Sequence, residues 1–315
     1  MERRTLHPPE WMTLLEEVAD ALRARQPVVA LETTVVTHGL PAPANIEIAR
    51  RMEVEVRSSG SVPATIGVLE GKVYVGLTAA RLERLATMAS VNKISRRDLA
   101  VAVAKGWSGG TTVAATMAAA HLAGIRTFAT GGIGGVHRGE NADISADLPE
   151  LAQTPVAVVC AGAKSILDLP RTLEWLETAG VPVVGWQTDE FPAFFSRSSG
   201  LPVPARVDTT HEAAELIHAH WTLPHAGGVL VGVPCPAEAE VPSAELEAAL
   251  RRAEAEAAAD QVRGPALTPY LLNRLVDLTG GATLRANLAL LRRNARVAGE
   301  LAVSLAAHRS LSPSA

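Results

Sequence analysis

The chain is poor in aromatic rings and cysteine, and it has neither a basic block nor a long apolar run. Aromatic residues make up 3% of its 315 residues, too few to build the stacking platforms on which single-stranded nucleic acid lies. Lysine and arginine number 29 against 33 aspartate and glutamate, for a net charge of -4. Without a basic run, a nucleic-acid duplex is not an expected partner. The only two cysteines are Cys160 and Cys235, which form neither a disulfide framework nor a zinc spacing, so a reducing, cytoplasmic setting is expected. No stretch approaches the roughly 20 apolar residues of a membrane span. The opening MERRTLHPPEWMTLLEEV lacks the apolar core of a signal peptide, and no membrane partner is expected.

What the chain has is small aliphatic bulk. Hydrophobic residues reach 48%, so the core must be built from Ala, Val, Leu and Ile, and the length allows one large domain or two smaller ones. Trp11, Leu14, Leu15, Val18 and Leu22 recur near helical spacing and predict an amphipathic helix over about residues 9–25. Short apolar runs at Pro27–Leu31, Thr127–Thr130, Val156–Cys160, Val181–Gly185 and Gly227–Val233 read as buried strands, and Pro63–Gly76 reads as a hairpin turning at Glu70-Gly71-Lys72. Gly109-Gly110-Thr111-Thr112-Val113 opens a small-residue helix that ends at Gly124, and helices follow at Thr209–Leu223, Ser243–Val262, Thr268–Leu278 and Leu284–Leu305, with a frayed tail from Ser310. Strands alternate with helices and no repeat or linker divides them. The expectation is an α/β fold: residues 1–315 as a single three-layer α/β/α domain around a mostly parallel sheet, mixed where the hairpin joins it.

The chemistry concentrates between Thr127 and Asp168. Gly131, Gly132, Gly134 and Gly135 let backbone amides approach a ligand, and His137 and Arg138 follow within reach of an anion, so a phosphate fits here. Asp143, Ser145 and Asp147 alternate; in an extended segment they face one side, with spacing suited to a hard cation or a hydroxylated ligand. Lys164 follows the strand Val156–Cys160 on the turn Ala161-Gly162-Ala163, ahead of a helix expected to begin near Ser165. The positive end of that helix and burial would favour an uncharged amine, a nucleophile toward carbonyl-like carbon.

Elsewhere, Glu32 stands where the strand Pro27–Leu31 ends, the place where α/β sheets bind ligands; a lone glutamate there is more often a cap or an ion-pair partner than an acid catalyst. Lys93 with Arg96, Arg97 and Asp98 forms a charged group that is either a phosphate grip or solvated surface. Neither GGTTV nor GGIGGVHRG matches a Walker or dinucleotide fingerprint. His211, His218 and His220 are spaced too irregularly for a metal set. The aromatic loop Trp186–Gly200 reads as a lid or as packing beneath a subunit interface. Asn287 and Asn294, seven apart on one helix face, both point inward, by default to structural hydrogen bonds.

Taken together, LETTVVTHGLP, NKISRRDL, GGTTVAATM, FATGGIGGVHRG, DISADLPELAQTPVAVVCAGAKSILD and TPYLLNRLVDLTGG resemble the pseudouridine-5'-phosphate glycosidase family, which includes proteins of the indigoidine synthase A type. The likeness runs from about Pro27 to Leu305. It implies a three-layer α/β/α homotrimer, a divalent metal that is typically manganese (Mn2+), and reversible cleavage of the C-glycosidic bond of pseudouridine 5'-phosphate to uracil and ribose 5-phosphate. By the family pattern Lys164 attacks the sugar C1', Glu32 donates the proton, and Asp143 anchors the metal, largely through waters. Lys93, Val113 and the run Ser145-Ala146-Asp147 match substrate-binding positions. Asn287 is expected at the uracil edge, and His137 with Thr130 near the phosphate. The chain departs from the family at Val233-Pro234-Cys235-Pro236, where asparagine is usual in place of Val233, and at Gly264-Pro265-Ala266-Leu267. Two other readings use the same residues: a Schiff-base lyase or aldolase acting on another sugar phosphate, and a non-catalytic sugar-phosphate or nucleotide binder in which Lys164 and Glu32 are only ion-pair partners.

Overall fold

The computed structural model describes residues 8–139, 143–262, 264 and 267–311. Its strands, in chain order, are Met12–Leu14 (β1), Val28–Leu31 (β2), Val62–Leu69 (β3), Lys72–Val75 (β4), Asn92–Ile94 (β5), Gly109–Thr111 (β6) and Thr127–Ala129 (β7). They continue with Val136–His137 (β8), Ala157–Cys160 (β9), Leu167–Asp168 (β10), Val183–Trp186 (β11), Ala205–Val207 (β12) and Val229–Gly232 (β13). The main sheet runs β1-β4-β3-β2-β7-β9-β13-β11-β12, with β6 branching from β3 and β5 pairing with β6. Every contact in it is parallel except β3 with β4 and β3 with β6. β8 and β10 form a separate antiparallel pair.

Every residue of β2, β7, β9, β11 and β13 is buried, as continuous apolar strands require when helices cover both faces. Helix Val113–Ala123 packs on β2, β3 and β4. Each of its residues from Val113 to Ala120 is buried, because alanine lets the helix axis come close to the sheet. Thr112 caps its start by accepting from the Ala115 amide, and Gly124 ends it at φ 90°. Helix Ala282–Leu311 packs on β2, β7 and β9 together with helices Ala44–Ser58 and Thr210–Trp221. Among the described residues the α/β architecture and the mostly parallel sheet are as expected, and the two antiparallel contacts sit where the hairpin joins.

Three local expectations are corrected. Residues 9–25 are not one helix: Met12–Leu14 adds to the sheet edge beside β4, and the helix is only Glu16–Arg23. The unpaired edge of β4 claims Met12 to Leu14 before helical periodicity can act. No helix begins near Ser165; Lys164 leads into β10, and the helix starts at Leu169. At the far end Ser310 and Leu311 are still helical, and the rest of the expected frayed tail lies outside the described residues.

The tight helix-to-sheet approach makes a prediction. Ala119 is 1% exposed, and Ala119→Leu should destabilise the fold by about 1–3 kcal/mol through overpacking; an unchanged urea midpoint would show that the helix has room to spare.

Candidate functional site

Register decides what meets at the carboxyl edge of the sheet. Leu31 lies opposite Ala129, and Ala129 opposite Val159, so the next residues along, Glu32 and Thr130, emerge side by side. The Thr130 hydroxyl donates to Glu32 Oε1. Both line a cleft of about 300 Å³ that also takes in Lys93, Val113, His137, Asp143, Ser145, Ala146, Asp147, Lys164 and Asn287. The residues to which the family resemblance assigns roles therefore all reach one cavity, whereas Arg138 and Gly135, expected beside an anion, do not line it. A larger hollow of about 540 Å³ is lined by Trp11, Leu99, Val103 and His121; it is mostly apolar and holds none of them.

The cleft wall is tied together by Asp147. This carboxylate is 6% exposed, with Oδ1 accepting from the Ala114 amide at 3.0 Å and Oδ2 from the Gly134 amide at 2.8 Å. Two backbone donors satisfy the buried charge and clasp the glycine loop to the N-terminus of helix Val113–Ala123. Asp143, Ser145 and Asp147 thus do not share an extended segment: Asp147 begins helix Asp147–Gln153, and Ser145 accepts from the Asp147 amide at 3.2 Å. The glycines also play a different part from the one expected. A Cβ on Gly134 would sit 2.2 Å from Ser145 Oγ and 2.9 Å from Asp147 Oδ2, and one on Gly132 would sit 2.7 Å from the Phe194 ring. These positions are empty so that neighbours can pack close, and the Gly134 amide is spent on Asp147 instead of an anion.

The charged residues sort themselves. Lys164 Nζ donates to the Gly132 carbonyl at 2.8 Å, which aims the amine across the cleft floor, although no helix end stands behind it. Burial pushes the Glu32 carboxyl above the ordinary carboxylate range, against the opposing pull of the Lys164 charge and the Thr130 hydroxyl. Lys93 is lowered from its usual value by partial burial and by repulsion from Lys164, and His137 is lowered by burial, with Asp143 acting the other way. Arg138 is not available to a ligand in the cleft: it pairs with Glu247 at 2.9 Å and donates to the carbonyls of Ser165 and Leu167. Arg96 is likewise bound to the buried Glu150 at 2.7 Å. Arg97 alone of that pair lines the cleft.

Thr130 positions the acid, and its own carbonyl accepts from Asn294 Nδ2 at 2.8 Å. Asn294 is therefore the structural asparagine, while Asn287, about two turns earlier on the same helix face, lines the cleft. Phe191, Phe194 and Phe195 are at most 2% exposed, so within this chain the three rings pack into the core, with Phe194 also lining the cleft. Val233 is buried and donates its amide to Cys160; that departure from the family pattern does not touch the cleft. Gly264 does line it, and Pro265 and Ala266 lie outside the described residues. Sequence reasoning assigned no role to Thr34, His38, Ser95 and Thr112, which also line the cavity. The signal was in hand for His38, which lies inside LETTVVTHGLP; it is held by Thr37 at 2.7 Å, and burial and Lys93 lower its pKa.

The family model described as "Indigoidine synthase A like protein" matches residues 17–304. A pseudouridine-5'-phosphate glycosidase of Methylobacterium nodulans is 56% identical over 310 residues, covering 98% of this chain and 92% of that protein. One from Rhodospirillum centenum is 60% identical over 299 residues, covering 94% and 93%. Among solved structures, the prealnumycin C-glycosynthase AlnA in complex with ribulose 5-phosphate superposes with a TM-score of 0.89 at 44% identity, over 96% of this chain and 99% of that one. An indigoidine synthase A-like protein of Thermotoga maritima gives 0.86 at 40% identity, over 94% and 96%.

The raised carboxyl of Glu32 has a measurable consequence for stability. Unfolded, the side chain ionises freely above about pH 4; folded, it must either keep its proton or bury a charge. Its contribution is therefore intact at low pH and lost as pH rises through the raised folded value. Glu32→Gln removes this penalty, so its Tm should overtake that of the parent increasingly as pH is raised from about 4 to 8. A Tm difference independent of pH would show that Glu32 ionises in the fold as it does in water.

Proposed function

We propose that this chain, which belongs to the indigoidine synthase A-like family, is an enzyme that reversibly cleaves the C-glycosidic bond of pseudouridine 5'-phosphate to uracil and ribose 5-phosphate. The observation that carries the reading is the pairing of Glu32 and Lys164 in one cleft, with the lysine charge acting directly on the buried carboxyl. The names of the relatives and the ribulose 5-phosphate in the AlnA structure support sugar-phosphate C-glycoside chemistry as the general class.

A carbon-linked base cannot be expelled by protonating a heteroatom at the linkage, so the sugar has to be opened first. The uncharged Lys164 amine adds to C1' as the C1'–O4' bond breaks, and O4' takes the proton held by Glu32. The ammonium formed by this addition returns a proton to Glu32. The nitrogen lone pair then forms a C=N bond while the C1'–carbon bond to the base breaks; the base carbon keeps that electron pair and takes the proton from Glu32. Uracil leaves, and water hydrolyses the imine to release ribose 5-phosphate and the free amine. Once the amine is uncharged, the strongest influence lowering the Glu32 pKa is gone, so the carboxyl holds its proton at the moment it has to give it.

Lys93 and His137, with Arg97 beside them, hold the phosphate end. Ser145, Ala146 and the Val113 turn bind the sugar around the Asp147 clasp, and Asn287 reads the uracil edge. For a metal, Asp143 offers an exposed carboxylate at the cleft, whereas both oxygens of Asp147 are already engaged by amides. A single carboxylate suits a hard cation such as manganese that keeps most of its waters. When bound, such an ion supplies positive charge that orients ligand oxygens. The site draws on residues from Glu32 to Asn287, so the whole chain acts as one domain, in the homotrimeric and cytoplasmic setting the family resemblance implies. No helix among the described residues is long and apolar enough to cross a membrane.

Two measurements test the mechanism. Lys164→Ala should reduce turnover to background while the protein stays folded, and borohydride with ribose 5-phosphate should fix a covalent adduct on the Lys164 peptide by mass spectrometry. Full activity in the variant, or an unmodified peptide, would remove the covalent step. Release of an aldehyde from simple sugar phosphates without any uracil chemistry would favour the aldolase reading.

A further inference from the structure

Away from the cleft, three metal-ligating side chains of the described residues converge between two helices. His211 and Glu215 are one turn apart on Thr210–Trp221, and His308 comes from the far end of Ala282–Leu311; one donor atom from each lies within 4.8 Å of the others. His211 Nδ1 and His308 Nε2 are 3.2 Å apart, and His211 Nε2 is 3.5 Å from Glu215 Oε1. Two ligands on a tetrahedral zinc ion at about 2.0–2.1 Å stand about 3.3 Å from each other. His211 Nδ1 and His308 Nε2 already hold that separation; Glu215 meets the other His211 nitrogen, and its carboxylate has to turn toward the Nδ1 side to complete the set. Their rings stack at 5.0 Å between centroids, and His218, the next turn along, stacks on His308 at 6.4 Å. One turn before His308, the Ser304 hydroxyl meets that of Thr210 at 2.8 Å, which fixes the two helices where the histidines meet.

We propose that His211, Glu215 and His308 form a binding site for a divalent cation of the zinc class, which clips helix Thr210–Trp221 to the last turns of Ala282–Leu311. Two imidazole nitrogens and one carboxylate oxygen select a borderline ion such as zinc, cobalt or nickel over the hard ions that all-oxygen sites take. The clip lies on the helix whose other end presents Asn287 to the cleft. Spacing along the chain could not reveal it, because the third ligand follows His211 by 97 residues.

The test is zinc titration by calorimetry on the full-length Asp143→Ala protein, in which the cleft carboxylate cannot compete. One equivalent should bind per chain, and Tm should rise with zinc and saturate. Adding His308→Ala should weaken that binding by at least about tenfold, and adding His211→Ala as well should abolish it, whereas His225→Ala on the neighbouring loop should leave it intact. Cobalt should give visible absorption bands that vanish in the same variants. In the otherwise unaltered chain, His308→Ala should keep its turnover without added zinc. Equal zinc affinity in the His211→Ala/His308→Ala variant, or no binding to the Asp143→Ala protein, would overturn the site; neither result bears on the chemistry of the cleft.

Discussion

The Asp147 carboxylate, closed on two backbone amides from different elements, is the contact on which the cleft depends. Without it the Gly134 amide in the glycine loop after β7 and the Ala114 amide in the first turn of Val113–Ala123 would each lose this acceptor. Hydrogen bonds to an ionised acceptor are worth roughly twice those between neutral groups. One side chain therefore sets the distance between the loop that presents Gly132 to Lys164 and the turn that presents Val113. Gly134 is the matching constraint on the other partner, since any larger residue would occupy the space of the carboxylate.

Register does the rest. Because β2, β7 and β9 are parallel and in step, the residues leaving their carboxyl ends are neighbours without any long-range design of side chains. Glu32 meets Thr130 because Leu31 meets Ala129. The acid gains a hydroxyl partner and loses water in the same step, and burial wins: the carboxyl moves upward despite a donor and a cation beside it. A cation in the same cavity would ordinarily hold a carboxylate ionised. Here Glu32 and Lys164 line one cavity, and burial of the carboxyl still outweighs that pull.

Much of this was legible from residues alone, and the failures have physical causes. The strands β2, β7, β9 and β13, the hairpin and the small-residue helix announce themselves through short apolar runs and caps, since those signals are local. Glu32 and Lys164 were found by their place after buried strands. What misled was competition between local and long-range partners. The stretch from Trp11 to Leu22 has helical periodicity, yet Met12–Leu14 is taken by the edge of β4. The glycine run looked like an anion cradle because sequence gives the freedom of the backbone and not what fills the space beside it. Arg138 seemed free because Glu247 lies 109 residues away.

The last helix connects these scales. Thirty residues at about 1.5 Å each span roughly 45 Å, so Ala282–Leu311 reaches from the cleft to the opposite margin of the layer it shares with Ala44–Ser58 and Thr210–Trp221. Seven residues, close to two turns, separate Asn287, which faces ligand space, from Asn294, which supports the loop carrying Thr130 and Gly131. A rigid rod anchored at several points cannot rotate one of these residues without moving the other. Its packing farther along, including Arg292 and Arg296 on the buried Glu55 and Ser304 on Thr210, therefore fixes the azimuth at which Asn287 enters the cleft. The position of this cleft-lining side chain is in this way set by contacts farther along the same helix, which is why no motif at Asn287 alone could have specified it.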